Sequence, residues 1–264
     1  MTALRLEQFW HSPARQLLAY PSGDADTLMY RWEELQSFGV EAIYAHGPET
    51  LAGLNILGVG YCGVVLRVLH QGHSRVLKVR RDPAPQASLA VEAMMLRQAN
   101  TVAVGPQYIA HSDNFLLMDY VDGPMLVDWL QTSQCAEAVY KVVFALIHQA
   151  YRLDQIGVDH GDLRCITAHA LVLSTGPVLI DFSGASLERR LANVTTLVQG
   201  LLISTHIAKL LCPWFPHVHK VELIEQLRCY KQQSSLITLN RLLEYLALEQ
   251  VKDSCDGMQK QILS

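Results

Sequence analysis

The hydrophobic pattern of this 264-residue chain changes its period at one point, and that change restricts the folds open to it. Before the turn sequence Asp122-Gly123-Pro124, apolar residues alternate or form the short runs that are typical of β-strands. After the turn, helical signals dominate, with one strand hairpin among them. This order predicts an α+β protein with a strand-rich first lobe, a helical second lobe and a cleft between them.

The same pattern predicts individual elements and three regions. Residues 1–50 form a helical extension that packs on the first lobe, residues 51–121 form that lobe, and residues 122–264 form the second lobe. The predicted strands are 40–44, 54–56, 64–68, 75–79 and 115–121, and a hairpin of 169–173 and 178–182. The predicted helices are 86–99, 125–130, 135–157, 194–211, 220–232 and 236–251.

Composition excludes several classes of protein. Hydrophobic residues make up 50% of the chain and charged residues 17%, which supports a packed interior rather than disorder. A net charge of -4 provides no broad field for a nucleic acid or an anionic membrane. The 6 cysteines are scattered without a C-x-x-C pair, so we expect reduced thiols.

Neither the beginning of the chain nor its longest apolar stretch predicts export or insertion into a membrane. Residues 1–10 carry Arg5 and Glu7 and lack the apolar core of a secretion signal, so we expect a cytoplasmic protein. Residues 194–215 include Gln199, His206 and Lys209, which make the stretch too polar for a bilayer core. We interpret that stretch as a buried helix.

Gly58, Gly60 and Gly63 form a G-x-G-x-x-G sequence that precedes a β-branched run. In a dinucleotide site the last glycine opens a helix, whereas the residues after Gly63 favour a second strand. We therefore predict a strand-loop-strand lid whose backbone N–H groups approach phosphate oxygens, with Val65 above an apolar adenine pocket. The alternative is an ordinary glycine hairpin without a ligand.

Lys78 lies in apolar surroundings near the end of a predicted strand, where a lysine needs a partner. Val76 and Lys78 share one face of that strand because side chains alternate along it. Glu92, in the following predicted helix, is the only glutamate between Thr50 and Ala136. We therefore predict an ion pair between Lys78 and Glu92. The alternative is an exposed lysine and a solvated glutamate.

Three later segments complete the candidate site. The apolar strand 115–121 runs into the turn at the lobe boundary, and His160-Gly161-Asp162 follows the long predicted helix. Asp181 lies between Ile180 and Phe182, a poor place for a charge unless it meets a cation such as a metal ion. The joint occurrence of these segments with the glycine loop, Lys78 and Glu92, in one order, carries more weight than any one of them.

Together these motifs resemble the protein-kinase-like superfamily over about Leu54 to Thr196. His160-Gly161-Asp162-Leu163 stands in place of His-Arg-Asp-Leu, and no Ala-Pro-Glu segment follows Asp181. The chain is therefore similar to the compact RIO and KEOPS-type kinases and to small predicted serine/threonine kinases of archaea and bacteria. Segments similar to that last group are Val104-Gly105-Pro106, Asp113-Asn114-Phe115-Leu116-Leu117-Met118 and Asn193-Val194-Thr195-Thr196.

The resemblance implies a bilobal protein-kinase-like fold, ATP-dependent phosphoryl transfer and a role for each matching residue. Lys78 binds the α- and β-phosphates and Glu92 orients it, while the glycine loop holds the phosphates. Asp162 takes the proton of the acceptor hydroxyl, and Asp181 holds Mg²⁺. Arg164 neutralises charge on the transferred group, or is a structural loop arginine. Further nucleotide contacts are implied for Val65, Val76, Met118, Leu171 and the backbone of Asp119 and Val121.

The chain departs from the family pattern at the second metal ligand. The pattern expects an asparagine five residues after Asp162, where this chain has Thr167. Ser183 also replaces the glycine of Asp-Phe-Gly, which makes a flip of that loop less easy.

The predicted hairpin offers a replacement for the missing ligand. If Ser174-Thr175-Gly176-Pro177 forms the turn and Leu173 pairs with Val178, Asp181 lies opposite Ala170, with His169 beside it. On this register His169 occupies the second-ligand position and shifts the metal preference from Mg²⁺ toward Mn²⁺. The alternative is a histidine that only hydrogen-bonds the catalytic loop.

The residues favour an active atypical serine/threonine protein kinase that uses ATP and Mg²⁺ or Mn²⁺. One alternative is a nucleotide-binding regulatory or scaffold protein with little transfer activity, motivated by the missing asparagine. Another is a small-molecule kinase on the same fold. The sequence specifies neither the acceptor, protein or small molecule, nor the oligomeric state, and it carries no membrane signal and no strong nucleic-acid signal.

Overall fold

A computed structural model of the protein describes residues 2–133, 135–204 and 206–248. The chain divides into two compact units, one of Met1–Arg97 and Pro106–Tyr120, and one of Gln98–Gly105 and Val121–Ser264. Strands and helices both contribute, and the largest sheet is antiparallel. The predicted α+β class is therefore confirmed.

The first unit is built on one antiparallel sheet. Its strand order is β1-β2-β6-β7-β9-β8, and β5 pairs with β6, while β3 and β4 form a separate hairpin. The strands are β1 (Thr2–Arg5), β2 (Val40–Ala45), β3 (Glu49–Leu51), β4 (Leu54–Ile56), β5 (Gly58–Val59), β6 (Gly63–His70), β7 (His73–Arg80), β8 (Tyr108–His111) and β9 (Phe115–Asp119). The helices are α1 (Leu6–Trp10), α2 (Ala25–Ser37) and α3 (Ala90–Asn100), with a 3₁₀ helix at Pro13–Ala19.

The alternation that predicted β6 and β7 also separates the two faces of the sheet. Val64, Leu66 and Leu77 are on the core face and are fully buried. The opposite face carries Val65 and Val76, which are half-buried. One sheet face is therefore the core of the first unit, and the other retains partly exposed apolar side chains.

The first fifty residues supply two strands of this sheet in addition to helices. β1 pairs with β2, and β2 pairs with β6, so the N-terminal segment extends the sheet at one edge. Phe9, Leu17 and Leu35 belong to the same buried cluster as the strands. β1 has only four residues, which are mostly exposed and lack a hydrophobic alternation, and this explains why the sequence does not predict this edge strand.

The second unit consists mainly of helices. They are α4 (Leu126–Thr132), α5 (Ala136–Gln155), α6 (Asn193–Gln199), α7 (His206–Leu211), α8 (Lys220–Gln232) and α9 (Leu236–Tyr245), with 3₁₀ helices at Leu163–Ala168 and Cys212–Trp214. One face of α5 is buried, including Leu146, Ile147 and Leu153. Strands β10 (Ala170–Leu173) and β11 (Gly176–Leu179) form a hairpin.

The stretch predicted as one helix over 194–211 is interrupted. α6 passes into a π-helical segment at Gly200–Ser204 before α7 begins. Leu197, Leu201 and Ile207 are nevertheless fully buried. Among the described residues, no single helix has the length and apolar character needed to cross a membrane, although the bent pair 193–203 and 206–214 meets both criteria together. The predicted helix 236–251 is too long, because α9 ends at Tyr245 and residues 246–248 are not helical, while residues 249–251 lie outside the described residues.

Candidate functional site

The glycine-rich segment is a strand-loop-strand hairpin, as predicted. Gly58 and Val59 pair with Val65 and Val64, and the N–H of Gly60 donates to the carbonyl of Gly63 at 2.8 Å. Arg81 fixes the loop from outside, because its backbone N–H donates to Cys62 O and its side chain donates to Gly60 O. The loop is thus a short, tethered β-turn at the edge of the first unit.

Glycine is required at position 63, where the start of β6 lies against Lys78 and Val79 of β7. A Cβ at this position would lie 2.8 Å from Val79 O and 2.9 Å from Lys78 Cγ. At Gly60, by contrast, the nearest atom to an added Cβ is Gly63 O at 3.8 Å, an ordinary contact. The side chain of Lys78 therefore passes over a position that only glycine leaves open.

Gly63→Ala is accordingly expected to destabilise the protein by about 1–3 kcal/mol, because backbone on the neighbouring strand must move to admit the methyl group. Gly60→Ala is the matched control and should cost less than about 1 kcal/mol. Urea unfolding followed by circular dichroism measures both. Equal losses of stability in the two variants would contradict the close-approach explanation.

The predicted ion pair between Lys78 and Glu92 is present. Lys78 Nζ lies 2.8 Å from Glu92 Oε1, and the two residues are only 5% and 2% exposed. Two opposite charges so deeply buried have a large desolvation cost, which their mutual attraction only partly offsets. Such a pair is therefore weak evidence for stability.

The strand register places the predicted adenine-pocket residues on the face that carries Lys78. Val65 is directly opposite Lys78, and Met118 is directly opposite Val76. Because Val76 and Lys78 are two residues apart on β7, all four side chains share one face. Val65, Val76 and Met118 are half-buried, so a partly exposed apolar surface adjoins a buried ammonium group.

The strand that precedes the unit boundary ends at Asp119, whose side chain forms an ion pair with Arg75. The backbone N–H of Asp119 donates to Gln107 O at 2.9 Å, which occupies the only backbone donor of that residue. A contact of Asp119 with a heterocycle would therefore use its carbonyl. Val121 belongs to the second unit, and its predicted contact with adenine stays a prediction.

In the second unit, Asp162 is half-buried and lies just before the 3₁₀ helix Leu163–Ala168. Two glycines allow the chain to pack closely next to this residue. A Cβ at Gly184 would collide with the Asp162 carboxylate, and a Cβ at Gly161, whose φ is +90°, would collide with Gly184 O and the Arg189 side chain. Arg189 also pairs with Asp159 at 2.7 Å. Glycine at position 184 thus leaves the space that the Asp162 carboxylate occupies.

A buried polar network supports the segment from Val158 to Asp162. Asn193 accepts the N–H of His160 at 2.8 Å and donates from Nδ2 to Val158 O at 2.7 Å. Asp154 in turn accepts Asn193 Nδ2 at 2.8 Å and the hydroxyl of Tyr230 at 2.9 Å. Burial raises the pKa of Asp154, although its hydrogen bonds act in the opposite direction.

His160 is fully buried beneath this segment and is neutral. Burial, aided by the nearby His169, lowers the pKa of His160 to about 4. Its Nε2–H donates to Ile180 O at 3.2 Å, and its ring contacts that of Phe182 with 4.8 Å between centroids. His160 therefore acts as a structural link between the Asp162 segment and the segment that carries Asp181.

The predicted register of the β10–β11 hairpin is wrong by two residues. Leu173 pairs with Gly176 rather than with Val178, and Ala170 pairs with Leu179. The turn therefore contains only Ser174 and Thr175, and Gly176 and Pro177 begin the second strand. Gly176 tolerates this because its φ of +129° suits glycine.

The corrected register removes the reason for preferring His169 over Thr167 as a metal ligand. Continued along the hairpin, it brings Ala168 opposite Asp181, and both candidates are one residue from Ala168. His169 Nδ1–H donates to Cys165 O at 2.9 Å, which is the hydrogen bond to the catalytic loop that the alternative interpretation expects. Metal ligation by His169 stays a prediction.

Asp181 is exposed, so the expectation that its burial demands a cation is wrong. Instead, it has an unusual backbone conformation with φ of +64°. Its Oδ1 accepts the N–H of Ser183 at 3.2 Å. A left-handed non-glycine residue costs about 1–3 kcal/mol and persists only where the surrounding structure imposes it, and such residues cluster at active sites. Strain, rather than burial, distinguishes this aspartate.

The two remaining predicted residues occupy different environments within the second unit. Arg164 is exposed on the 3₁₀ helix that follows Asp162. Leu171 is half-buried in β10, where it pairs with Val178 and forms a bridge to Met125. Their predicted roles at the transferred phosphate and the adenine ring stay predictions.

Sequence reasoning missed the groups that support Asp162. Asp154 and Arg189 belong to no motif, and Gly184 follows the Asp181 segment at a position that the family pattern does not mark. An interior acid on an otherwise apolar helix face, as at Asp154 in α5, is the one signal that could have indicated a buried network.

The structure permits a limited test of the implied metal. Over residues 2–133, 135–204 and 206–248, no group of three or more His, Cys, Asp or Glu side chains is arranged to hold a metal ion. Proteins commonly hold Mg²⁺ through one or two carboxylates together with substrate phosphates. The exposed carboxylate of Asp181 fits that mode, whereas the imidazole nitrogen of His169 does not suit Mg²⁺.

Comparison of the sequence with protein-family models and with curated protein sequences finds no match.

Proposed function

We propose that the protein is an ATP-dependent phosphotransferase, most simply an atypical serine/threonine protein kinase with a bilobal protein-kinase-like fold. The first unit holds the nucleotide, and the second unit supplies the base and the carboxylate for the metal ion. The resemblance of the motifs suggests these roles, and the geometry within each unit is compatible with them.

The observation that carries the proposal is the buried amine of Lys78 on the half-exposed apolar face of the sheet. A lysine that served packing alone gains little from so costly a position. Glu92 pairs with the amine and directs it, and the glycine hairpin leaves room beside it. Val65, Val76 and Met118 provide apolar surface for a flat ring. A nucleotide has both required parts, an apolar heterocycle and phosphates.

The second unit contributes a carboxylate suited to proton transfer. The Asp162 carboxylate lies against Gly184, and Asn193 accepts the backbone N–H of His160, two residues before it. A carboxylate within reach of an acceptor hydroxyl orients that hydroxyl and takes its proton. Bound Mg²⁺ supplies charge neutralisation at the phosphates, and Asp181 is the residue that holds it.

Nucleotide binding is tested by thermal unfolding of the full chain with and without millimolar Mg-ATP. A ligand at 100 times its dissociation constant adds about 2.7 kcal/mol to the free energy of unfolding. We expect a saturable rise in Tm with Mg-ATP. A Tm that does not respond to Mg-ATP would refute the proposal.

A double variant that removes both buried charges tests whether Lys78 takes part in nucleotide binding. Lys78→Met alone strands Glu92 in the interior at a cost of about 3–5 kcal/mol, whereas replacing both members of a buried pair is often nearly neutral. Lys78→Met/Glu92→Gln should therefore fold and lose the Mg-ATP response. Lys141→Met, which alters a surface lysine paired with Glu137, is the control and should keep the response.

The second candidate is a nucleotide-binding regulatory protein without efficient transfer. Thr167 at the expected asparagine position favours it, because a threonine hydroxyl is a weaker metal ligand than the amide oxygen it replaces. The two candidates agree on the thermal-shift result. They differ in whether phosphate from labelled ATP appears on an acceptor when the protein is incubated with a cell lysate.

A further inference from the structure

A cavity lined by polar and charged residues lies within the first unit. Its volume is about 310 Å³, and its walls come from the first turns of α2, the end of β7 and the loop before β9. Two arginines, Arg31 and Arg80, and Asn114 form its charged and polar wall. None of these residues belongs to the candidate nucleotide site.

Arg31 is the unusual member of this wall, because it is a guanidinium with only 1% exposure. Its Nη1 donates to the carbonyls of Leu18, at 2.7 Å, and Arg80. Both acceptors are neutral. Burial and the nearby Arg80 lower the pKa of Arg31, while Asp82 and Glu34 favour its charged form. An arginine stays protonated even so, and its buried charge remains without a directly bonded anion among the described residues.

Arg80 repeats the pattern. Its Nε and Nη2 donate to Asn114 Oδ1, at 3.2 and 2.9 Å, and its Nη1 donates to Gln86 O. The nearby carboxylates are likewise bonded to neutral donors, Glu34 to Asn114 Nδ2 and Asp82 to Ser22 Oγ. The two cations and the acids around them are thus each solvated by neutral groups rather than paired with one another.

The remaining wall residues restrict what could enter. Thr27 and Tyr30 add hydroxyl groups, while Asp26 and Asp82 add negative charge. A polyphosphate would face both carboxylates, whereas a single oxyanion can approach the arginines with fewer unfavourable contacts. A volume of about 310 Å³ lies at the lower end of the range for pockets that bind small molecules.

We propose that this cavity binds a small compound through one oxyanion group, a carboxylate or a phosphate, held by Arg31 and Arg80. Charge-assisted hydrogen bonds from two guanidiniums are the strongest that a protein offers to such a group. The site is independent of the proposed kinase function, since it shares no residue with the nucleotide site.

The test measures Tm of the full chain in sodium phosphate and in sodium acetate, with sodium chloride at equal ionic strength as reference. We expect a saturable rise with at least one oxyanion and none with chloride. Arg80→Gln should weaken the apparent affinity about tenfold or more, because it removes charge-assisted hydrogen bonds. Arg67→Gln, which alters an arginine of β6 outside the cavity, should leave the affinity unchanged.

Two further variants separate this site from the nucleotide site and from a failure to fold. The oxyanion response should persist in Lys78→Met/Glu92→Gln, and the Mg-ATP response should persist in Arg80→Gln. If Arg80→Gln does not fold, as judged by circular dichroism, the double variant Thr27→Val/Tyr30→Phe replaces it in the test. A weaker affinity of this double variant for the oxyanion supports the proposal. A rise in Tm with the oxyanions no larger than that with chloride would overturn the proposal. Equal losses of oxyanion affinity in Arg80→Gln and Arg67→Gln would also overturn it, as would an unchanged affinity in Thr27→Val/Tyr30→Phe.

Discussion

Replacing Asp162 by asparagine is expected to reduce phosphate transfer by about 10²–10⁴-fold while leaving Mg-ATP binding nearly intact. Asparagine has the same shape and keeps one oxygen, so the close approach of this side chain to Gly184 is retained. What is lost is the capacity to accept the proton of the acceptor hydroxyl. Transfer from labelled ATP measures the first effect, and the Mg-ATP shift in Tm measures the second.

Two other aspartates make this prediction specific. Asp181→Asn is expected to weaken nucleotide binding that depends on Mg²⁺, because it removes the proposed metal carboxylate. Asp128→Asn, at an exposed position on α4 of the same unit, should alter neither measurement. Undiminished transfer in Asp162→Asn would exclude the base role. A simultaneous loss of ATP binding and transfer in that variant would assign Asp162 to the metal or to the fold.

Replacing Asp154 by alanine is expected to destabilise the protein by about 3–5 kcal/mol. The carboxylate accepts four hydrogen bonds, from the backbone N–H groups of Asn193 and Val194, from Asn193 Nδ2 and from the Tyr230 hydroxyl. Alanine leaves these donors buried without an acceptor, and a donor left in that state costs about 1–3 kcal/mol. Urea unfolding measures the change.

Tyr230→Phe provides the graded control, since it removes one of the four donors and should cost about 1 kcal/mol. The loss of stability in Asp154→Asn should lie between those of Asp154→Ala and Tyr230→Phe, because the amide keeps one oxygen but directs an N–H group at other donors.

The dependence of stability on pH provides a second measurement. Burial raises the pKa of Asp154, so wild-type stability relative to Asp154→Asn should fall as pH rises from 3.8 through the folded-state pKa. An Asp154→Ala variant no less stable than Tyr230→Phe would contradict the network.

Much of the local structure could be predicted because adjacent residues determine it. The alternation of Val64, Leu66 and Val68 is sufficient for a strand, and α8 begins and ends where its predicted helix does. The Lys78–Glu92 ion pair could be predicted for a different reason. A buried lysine needs a carboxylate, and the sequence near it offers one glutamate.

The hairpin register could not be predicted, because Ser174, Thr175, Gly176 and Pro177 all favour turns and the sequence does not show which two form one. The register depends on how β10 and β11 pack within the second unit, including the bonds of Pro177 O and the Leu179 N–H with Gln149 of α5. The exposure of Asp181 could not be predicted either. Apolar neighbours in sequence predict burial, but a left-handed backbone turns this residue outward from them.

Sequence alone therefore determined the class of fold, most elements and the pairing of Lys78 with Glu92, all of which follow from short-range periodicity and from the cost of burying a charge. Tertiary structure alone decided the register of β10 and β11, the network of Asp154, Asn193 and Tyr230, and the cavity beside Arg31. The physical reason is common to all three. Each depends on groups far apart in the chain whose hydrogen-bonding needs are met by one another, and no local pattern records which distant group will meet them.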